Sequence, residues 1–228
     1  PRALTDVKIF IPSGFFNDHK QQGIPVDSPF SIQPNALTAS DWITTFDLDT
    51  HSQPAILITR VIKKLRGNYS LYDIMMEVES DQKATGETKN LVESLFEASM
   101  TWRLFSEEGE KFENLVQPGN ISIIDISCYS SVAGNWSIKS LVTGLIAQKL
   151  LQQRMVERKK EELKEIKQGF SPFKKIKTIS KLPQVWLILD EAHEMLPKDK
   201  ITPATNALIS LLREGRQPGI SMVLATQQ

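Results

Sequence analysis

Short runs of apolar residues bounded by turn residues predict the β-strands of this chain. The first run alternates in polarity and stops at Pro12-Ser13-Gly14, a strong turn signal. The fourth run is almost entirely apolar, which is typical of a strand buried on both faces of a parallel sheet. The predicted strands are Val7–Ile11, Phe30–Ile32, Ile121–Ser127, Val185–Leu189 and Ile220–Ala225.

Between about Ala36 and Val116 the apolar residues take the spacing of helices, and β-branched runs are few. We interpret residues 36–116 as an α-helical insertion in a core formed by residues 1–35 and 117–228. The helices predicted in this insertion are Gln53–Leu65, Ser70–Val78, Glu87–Ser99 and Met100–Leu104.

A long helix is predicted from Ser137 to Gln168, with a length of about 48 Å at 1.5 Å per residue. Its first half carries an apolar stripe at spacings of three and four, which thins beyond Gln153 while charged residues continue. We therefore expect the helix to project past its core contacts. Residues 153–183 are interpreted as a basic helix extension and loop within the core.

The last part of the chain reads strand, helix, strand. Thr202 is a suitable N-cap, Pro203 suits the first helical position, and Gly215 is a suitable stop. A helix between two apolar strands indicates a βαβ unit and therefore a parallel sheet. The predicted fold class is α/β, with a partial parallel sheet flanked by helices and an α-helical insertion.

Composition is ordinary for a globular protein, with 40% hydrophobic and 24% charged residues. No apolar run is long enough for a membrane span, and the single cysteine, Cys128, suits the reducing cytoplasm. The formal net charge is zero, but residues 153–181 hold 10 Lys and Arg against 4 Asp and Glu. This basic segment is either a polyanion-binding surface or a solvated helix face.

Two adjacent carboxylates, Asp190 and Glu191, directly follow the fourth strand. Ligands bind at the carboxyl ends of strands in open α/β sheets, and this position matches the Walker B site of P-loop ATPases. Asp190 would hold Mg²⁺ through water, and Glu191 would orient or deprotonate the water that attacks the γ-phosphate of ATP. The alternative is an ordinary surface pair that caps the next element.

Further polar residues cluster near these carboxylates in sequence. His193 either packs behind the site or couples hydrolysis to DNA; a zinc site is disfavoured because the His-Glu-x-x-His spacing is absent. Thr226 and Gln227, at the end of the last strand, are candidates to sense the γ-phosphate. Arg213 and Arg216 either complement a helix dipole or stabilise transition-state charge at a subunit boundary.

These motifs resemble the archaeal HerA family of hexameric DNA-translocating ATPases, which is akin to the FtsK motors. The resemblance is specific over residues 119–150 and 184–228 and loose over residues 1–118. It lies in Asn120–Ser127, Trp186–His193, Leu212–Ile220 and Ala225-Thr226-Gln227.

The resemblance implies a RecA-like sheet and a motor that uses ATP and Mg²⁺. By matching position, Asp190 and Glu191 would form the Walker B pair and Gln227 would be the sensor. Arg216 would be the arginine finger offered to a neighbouring subunit. The implied partners are double-stranded DNA, further copies of the chain in a homo-hexamer, and a NurA-like nuclease.

One part of the motor is missing from the printed sequence. None of the 11 glycines is followed by lysine, so the P-loop pattern Gly-x-x-x-x-Gly-Lys-Ser/Thr does not occur. That loop supplies most of the phosphate contacts in such ATPases. We therefore expect weak or no ATP binding, and no hydrolysis, by this chain alone.

The basic segment is a second departure, because it is longer and more basic than the family requires. Its lysines are candidates for phosphate contacts with DNA, although only Phe170 and Phe173 could support base stacking. A subunit-contacting arm is the competing interpretation. The candidate DNA-binding residues are Lys159, Lys160, Lys174, Lys175 and Lys177.

Three other functions stay open at this stage. The string Asp190–His193 also fits a superfamily-2 DEAH helicase, although the run Arg213–Arg216 favours a ring-forming ATPase. A conjugation or secretion ATPase is closer still. The alternative of a different class is a non-catalytic RecA-like module that binds DNA or a partner subunit.

Overall fold

The computed structural model describes residues 6–106, 115–129, 136–167 and 183–227. The fold is mixed α/β, as predicted, with parallel strands flanked by helices. The strands lie in two sheets, one with the order β2-β1-β3 and one in which β4 pairs with β5. Their bounds are β1 Val7–Pro12, β2 Ser28–Phe30, β3 Ile121–Ile124, β4 Val185–Leu189 and β5 Ile220–Leu224.

Short helices occupy the region between β1 and β3, and four of them begin with a side-chain N-cap. The Thr38 and Ser70 side chains each accept a hydrogen bond from a backbone N–H three residues later, and that third residue is an aspartate that bonds back. Trp42 and Phe96 are fully buried in the core that the last four of these helices share. The helices are α1 Phe16–Gln21, α2 Ala39–Thr45, α3 Gln53–Lys64, α4 Leu71–Ser80 and α5 Gly86–Met100.

The helix predicted over Met100–Leu104 is wrong. Arg103 has a φ of 54°, in the left-handed region, which ends the helical path after α5. The carbonyl oxygen of Leu104 then accepts a hydrogen bond from the backbone N–H of Ile32. The chain therefore leaves the helical path and pairs with the segment that follows β2.

A single long helix, α6 (Trp136–Lys167, 32 residues), links the parts of the core. Leu141 packs with the short helices, Val142 packs against the three-stranded sheet, and Leu150 packs beneath the two-stranded sheet. The insertion and the sheets thus share one helix. The domain boundaries proposed from the sequence stay predictions.

The prediction that α6 projects past its core contacts after Gln153 is wrong for the first turn beyond that residue. The Arg154 side chain is buried, and its Nε donates to the carbonyl oxygen of Pro218 at 2.8 Å. The helix therefore stays in contact with the turn before β5. Within the described part of the chain, no helix is both long and apolar enough to cross a membrane.

Helix α8 (Pro203–Glu214) follows a single helical turn, α7 (Ala192–Met195), and has the start and end that the sequence predicts. Its Leu208 and Leu211 side chains are buried against α6. The two helices approach closely at Gly144, where a Cβ atom would lie 2.6 Å from the carbonyl oxygen of Pro203. Glycine is therefore needed at this crossing.

One face of the two-stranded sheet is open among the described residues. Trp186 and Ile188 on β4 are 70% and 67% exposed, while Leu189 is buried. The prediction that β4 is buried on both faces is therefore wrong, because α6 and α8 cover only one face. Along β4, exposed side chains alternate with more buried ones, as in a strand that is covered on one face.

Candidate functional site

The carboxylates predicted from the sequence lie where β4 and β5 end side by side. The two strands pair in parallel, with Leu189 opposite Leu224. Backbone hydrogen bonds continue past the strand ends, from Ala225 N–H to Leu189 oxygen and from Ala192 N–H to Ala225 oxygen. This ladder brings the residues after β4 and those after β5 to the same sheet edge.

The backbone of Glu191 adopts a left-handed conformation, with φ 49° and ψ 45°. This region is unfavourable for residues other than glycine, by about 1–2 kcal/mol. The N–H of Glu191 donates to Oδ1 of Asp190 at 2.9 Å, which stabilises the turn. The strained turn directs the chain from β4 straight into α7.

The Glu191 carboxylate is held at both of its oxygens. Nε2 of Gln227 donates to Oε1 at 2.6 Å, and Nδ1 of His193 lies 3.3 Å from Oε2. The same Nδ1 atom lies 3.3 Å from the hydroxyl oxygen of Thr226. Four residues that the sequence singled out therefore form one network, and exposed Asp190 lies beside it.

An ion pair behind this network was missed by the sequence analysis. Nζ of Lys139 on α6 lies 2.6 Å from Oε2 of Glu194, and the hydroxyl of Ser140 donates to the Glu194 carbonyl oxygen at 3.3 Å. The Lys139 side chain is only 8% exposed, against 35% for Glu194. The one signal in the sequence is a lysine next to the inward-facing residues Ile138 and Leu141.

Cys128, which follows β3, is half-buried, and its surroundings disfavour the thiolate form. Burial, together with the nearby Asp125 carboxylate, raises the pKa of the thiol to about 12. Because the thiolate is the reactive form of cysteine, the protonated thiol is inert at neutral pH.

Arg213 and Arg216 lie at the opposite end of the same strand pair. Arg213 is in the last turn of α8, and Arg216 is in the turn that leads into β5. A strand of five residues separates that turn from Gln227, which is about 16 Å at 3.3 Å per residue. The structure therefore does not bring these arginines to the Glu191 network of their own chain.

A groove of about 580 Å³ opens between the turn of the arginines and the distal half of α6. Its lining carries both charges but more cations than carboxylates. The lining residues are Met155, Arg158, Lys159, Glu162, Arg213, Glu214, Arg216, Gln217 and Pro218.

The candidate DNA-binding lysines divide into three groups. Lys159 lines the groove, whereas Nζ of Lys160 contacts Oε1 of Glu157 at 2.6 Å on the exposed side of α6. Lys174, Lys175 and Lys177 lie outside the described residues.

No group of three or more His, Cys, Asp or Glu side chains in the described ranges is arranged to hold a metal ion. An Mg²⁺ held mainly through water needs only one or two protein carboxylates, so the exposed Asp190 fits that requirement. Compared with profiles of known protein families, the chain matches none, and a comparison with characterised proteins gives no significant match. Its function is therefore inferred from the geometry of its own residues.

Proposed function

We propose that this chain is part of the motor domain of a hexameric, ATP-driven DNA translocase of the HerA type. It would carry the Walker B pair, the sensor and the arginine finger. The observation that carries the proposal is the Glu191 carboxylate, held at the carboxyl end of a parallel strand by Gln227 and His193. A carboxylate fixed by two polar neighbours at this sheet edge suits a group that positions an attacking water.

Each residue of the site has a proposed role. Asp190 would hold Mg²⁺ through water, and the ion would offset phosphate charge when it is bound. Glu191 would orient the attacking water or accept its proton. Gln227 and Thr226 would respond to the γ-phosphate, and His193 would transmit the change because it contacts both Glu191 and Thr226.

Arg216 would act on a neighbouring copy of the chain. It is separated from the Glu191 network by the full length of β5, so it cannot reach the reacting phosphate in its own chain. An acidic site at one end and arginines at the other favour a head-to-tail arrangement, the kind of contact from which rings of copies are built. Double-stranded DNA, a NurA-like nuclease and a cytoplasmic location belong to the same proposal.

The decisive measurement is DNA-stimulated ATP hydrolysis by a protein that contains this chain together with a P-loop. We expect Glu191→Gln to lower the rate about 100-fold or more while ATP binding persists, because general-base catalysis contributes about that much. The matched control is Glu97→Gln on the exposed face of α5, which removes a carboxylate far from the site. Equal rates for the Glu191→Gln variant and the wild type would contradict the proposal.

Two of the other candidate functions give different results in the same assay. A conjugation- or secretion-type ATPase would depend on Glu191 in the same way. A DEAH helicase would keep its activity in Arg216→Ala, because its arginine fingers come from a second motor domain of the same chain. A non-catalytic module would show no hydrolysis in any variant. The printed chain alone should not hydrolyse ATP, since it has no P-loop.

A further inference from the structure

The groove between α6 and the turn before β5 concentrates cations that lack partners. Within the described residues, the side chains of Lys159, Arg213 and Arg216 make no hydrogen bond or ion pair, although all three line the groove. Arg158 lines it too, but its guanidinium contacts Glu161 at 3.4 Å and Glu162 at 3.2 Å. Three positive charges are therefore available to a ligand.

The turn that carries Arg216 is held in a defined backbone conformation. The buried Arg154 side chain holds the carbonyl oxygen of Pro218, and the N–H of Ile220 donates to the Gly215 oxygen at 2.8 Å. Gly215 has no room for a side chain, because a Cβ atom there would lie 2.4 Å from the Leu211 oxygen. Gly219 has a φ of 82°, which favours glycine. The turn thus presents Arg216 from a fixed backbone.

Local structural roles do not account for all of these cations. Arg213, in the last turn of α8, complements the helix dipole. Lys159 lies about two turns before the end of α6, beyond the reach of the helix dipole, and Arg216 lies outside any helix, so neither has that role. The carboxylates that line the groove are Glu162, already paired with Arg158, and Glu214. The lining therefore keeps an excess of positive charge.

We propose that this groove is a phosphate-binding site, in which Lys159, Arg213 and Arg216 contact the phosphate oxygens of one ligand. Arginine side chains suit phosphate because their planar donors match its oxygens, and lysine adds a point charge. The phosphate belongs either to the backbone of a nucleic acid or to the polyphosphate chain of a nucleotide.

This site goes beyond the proposed function and does not depend on catalysis at Glu191. It shares Arg216 with the motor proposal and adds Lys159 and Arg213, from two different helices, to the same ligand. Binding at the groove is measured without hydrolysis, so failure of the motor proposal and failure of the groove proposal are separate results.

The experiment measures binding by the chain itself with two probes. A fluorescein-labelled 20-base-pair duplex is titrated by anisotropy at several salt concentrations, and inorganic tripolyphosphate is titrated by calorimetry. The variants are Lys159→Gln, Arg213→Gln and Arg216→Gln. Lys64→Gln is the matched control, because it removes the same charge from a lysine of α3 that is paired with Glu77. Circular dichroism verifies that each variant is folded.

We expect each groove variant to weaken binding about fivefold or more. The plot of log affinity against log salt concentration for the duplex has a negative slope. This slope should become less steep by about 0.9 per lost phosphate contact. Lys64→Gln should leave the affinity for each probe and the salt dependence nearly unchanged. Loss of duplex binding alone identifies a nucleic-acid backbone, loss of tripolyphosphate binding alone identifies a nucleotide, and loss of both identifies a general phosphate site. Absence of binding, or equal losses in the groove variants and in Lys64→Gln, would overturn the proposal.

Discussion

The two ends of the β4–β5 strand pair differ in how their charged side chains are satisfied. At the carboxyl end, both oxygens of Glu191 have neighbours, and Lys139 pairs with Glu194 behind the network. At the amino end, Arg213 and Arg216 contact no acidic partner in the described part of the chain. The charged side chains are therefore paired within the chain at the carboxyl end, whereas the two arginines at the amino end stay accessible to a ligand or to another copy of the chain.

This difference follows from the geometry of a parallel strand pair. Parallel strands collect the residues that follow them at one edge, so a network of acidic and polar groups forms there from residues far apart in sequence. The other edge receives the turns that enter the strands, and here such a turn carries the arginines. A ring of copies would bring the two edges together, as the proposed motor requires.

The largest expected effect concerns Arg154, which anchors the turn at the amino end of the strand pair. Arg154→Leu should lower the free energy of unfolding by about 3 kcal/mol, because it leaves the buried carbonyl oxygen of Pro218 without its charged donor. It also removes one cation beside Glu161, which keeps its contact with Arg158. Phosphate binding at the groove should weaken with it. Urea unfolding measures the stability, and a loss below about 1 kcal/mol would mean that the turn does not need this anchor.

The second prediction concerns the ion pair at the carboxyl end, in which the Lys139 side chain is much less exposed than that of Glu194. Glu194→Gln leaves a nearly buried ammonium group without its carboxylate and should destabilise the fold by about 2–3 kcal/mol. Lys139→Met leaves a carboxylate that water reaches, so its effect should be smaller, about 1 kcal/mol. A double-mutant cycle by denaturant unfolding measures the coupling. The reverse order of the two losses would contradict this account of burial.

The smallest expected effect tests the strained backbone at Glu191. Glu191→Ala and Glu191→Gly both remove the carboxylate and its contacts with Gln227 and His193. Glycine tolerates the left-handed conformation, so the glycine variant should be more stable than the alanine variant by about 1 kcal/mol. Thermal unfolding of the two variants provides the comparison. Equal stability would indicate that the turn relaxes when the carboxylate is removed.

Sequence patterns predict much of this fold where the signal is local. The start of α8 at Pro203 follows from Thr202 and proline, and its end before Gly215 follows from the glycine. The strand β4 follows from its apolar run. The failed helix over Met100–Leu104 shows the limit of such patterns, because the left-handed Arg103 and the bond between Ile32 and Leu104 are tertiary features.

The sequence likewise predicts only the part of the candidate site that has a local signal. Polar residues after two neighbouring strands predict a shared edge, and the structure places Glu191, His193, Thr226 and Gln227 in one network there. The pairing of Lys139 with Glu194 spans 55 residues, and that of Arg154 with Pro218 spans 64. No periodicity in the chain encodes contacts of that separation.

The sequence by itself determined the alternating and continuous apolar runs, the helix ends, and the polar residues that follow β4 and β5. These features depend on side-chain propensity and on neighbours a few residues away. Only the tertiary structure decided that α6 contacts the arginine turn and that one face of β4 is open. Those outcomes depend on which helices pack against which sheet face, and the packing is fixed by shape and burial across the whole chain.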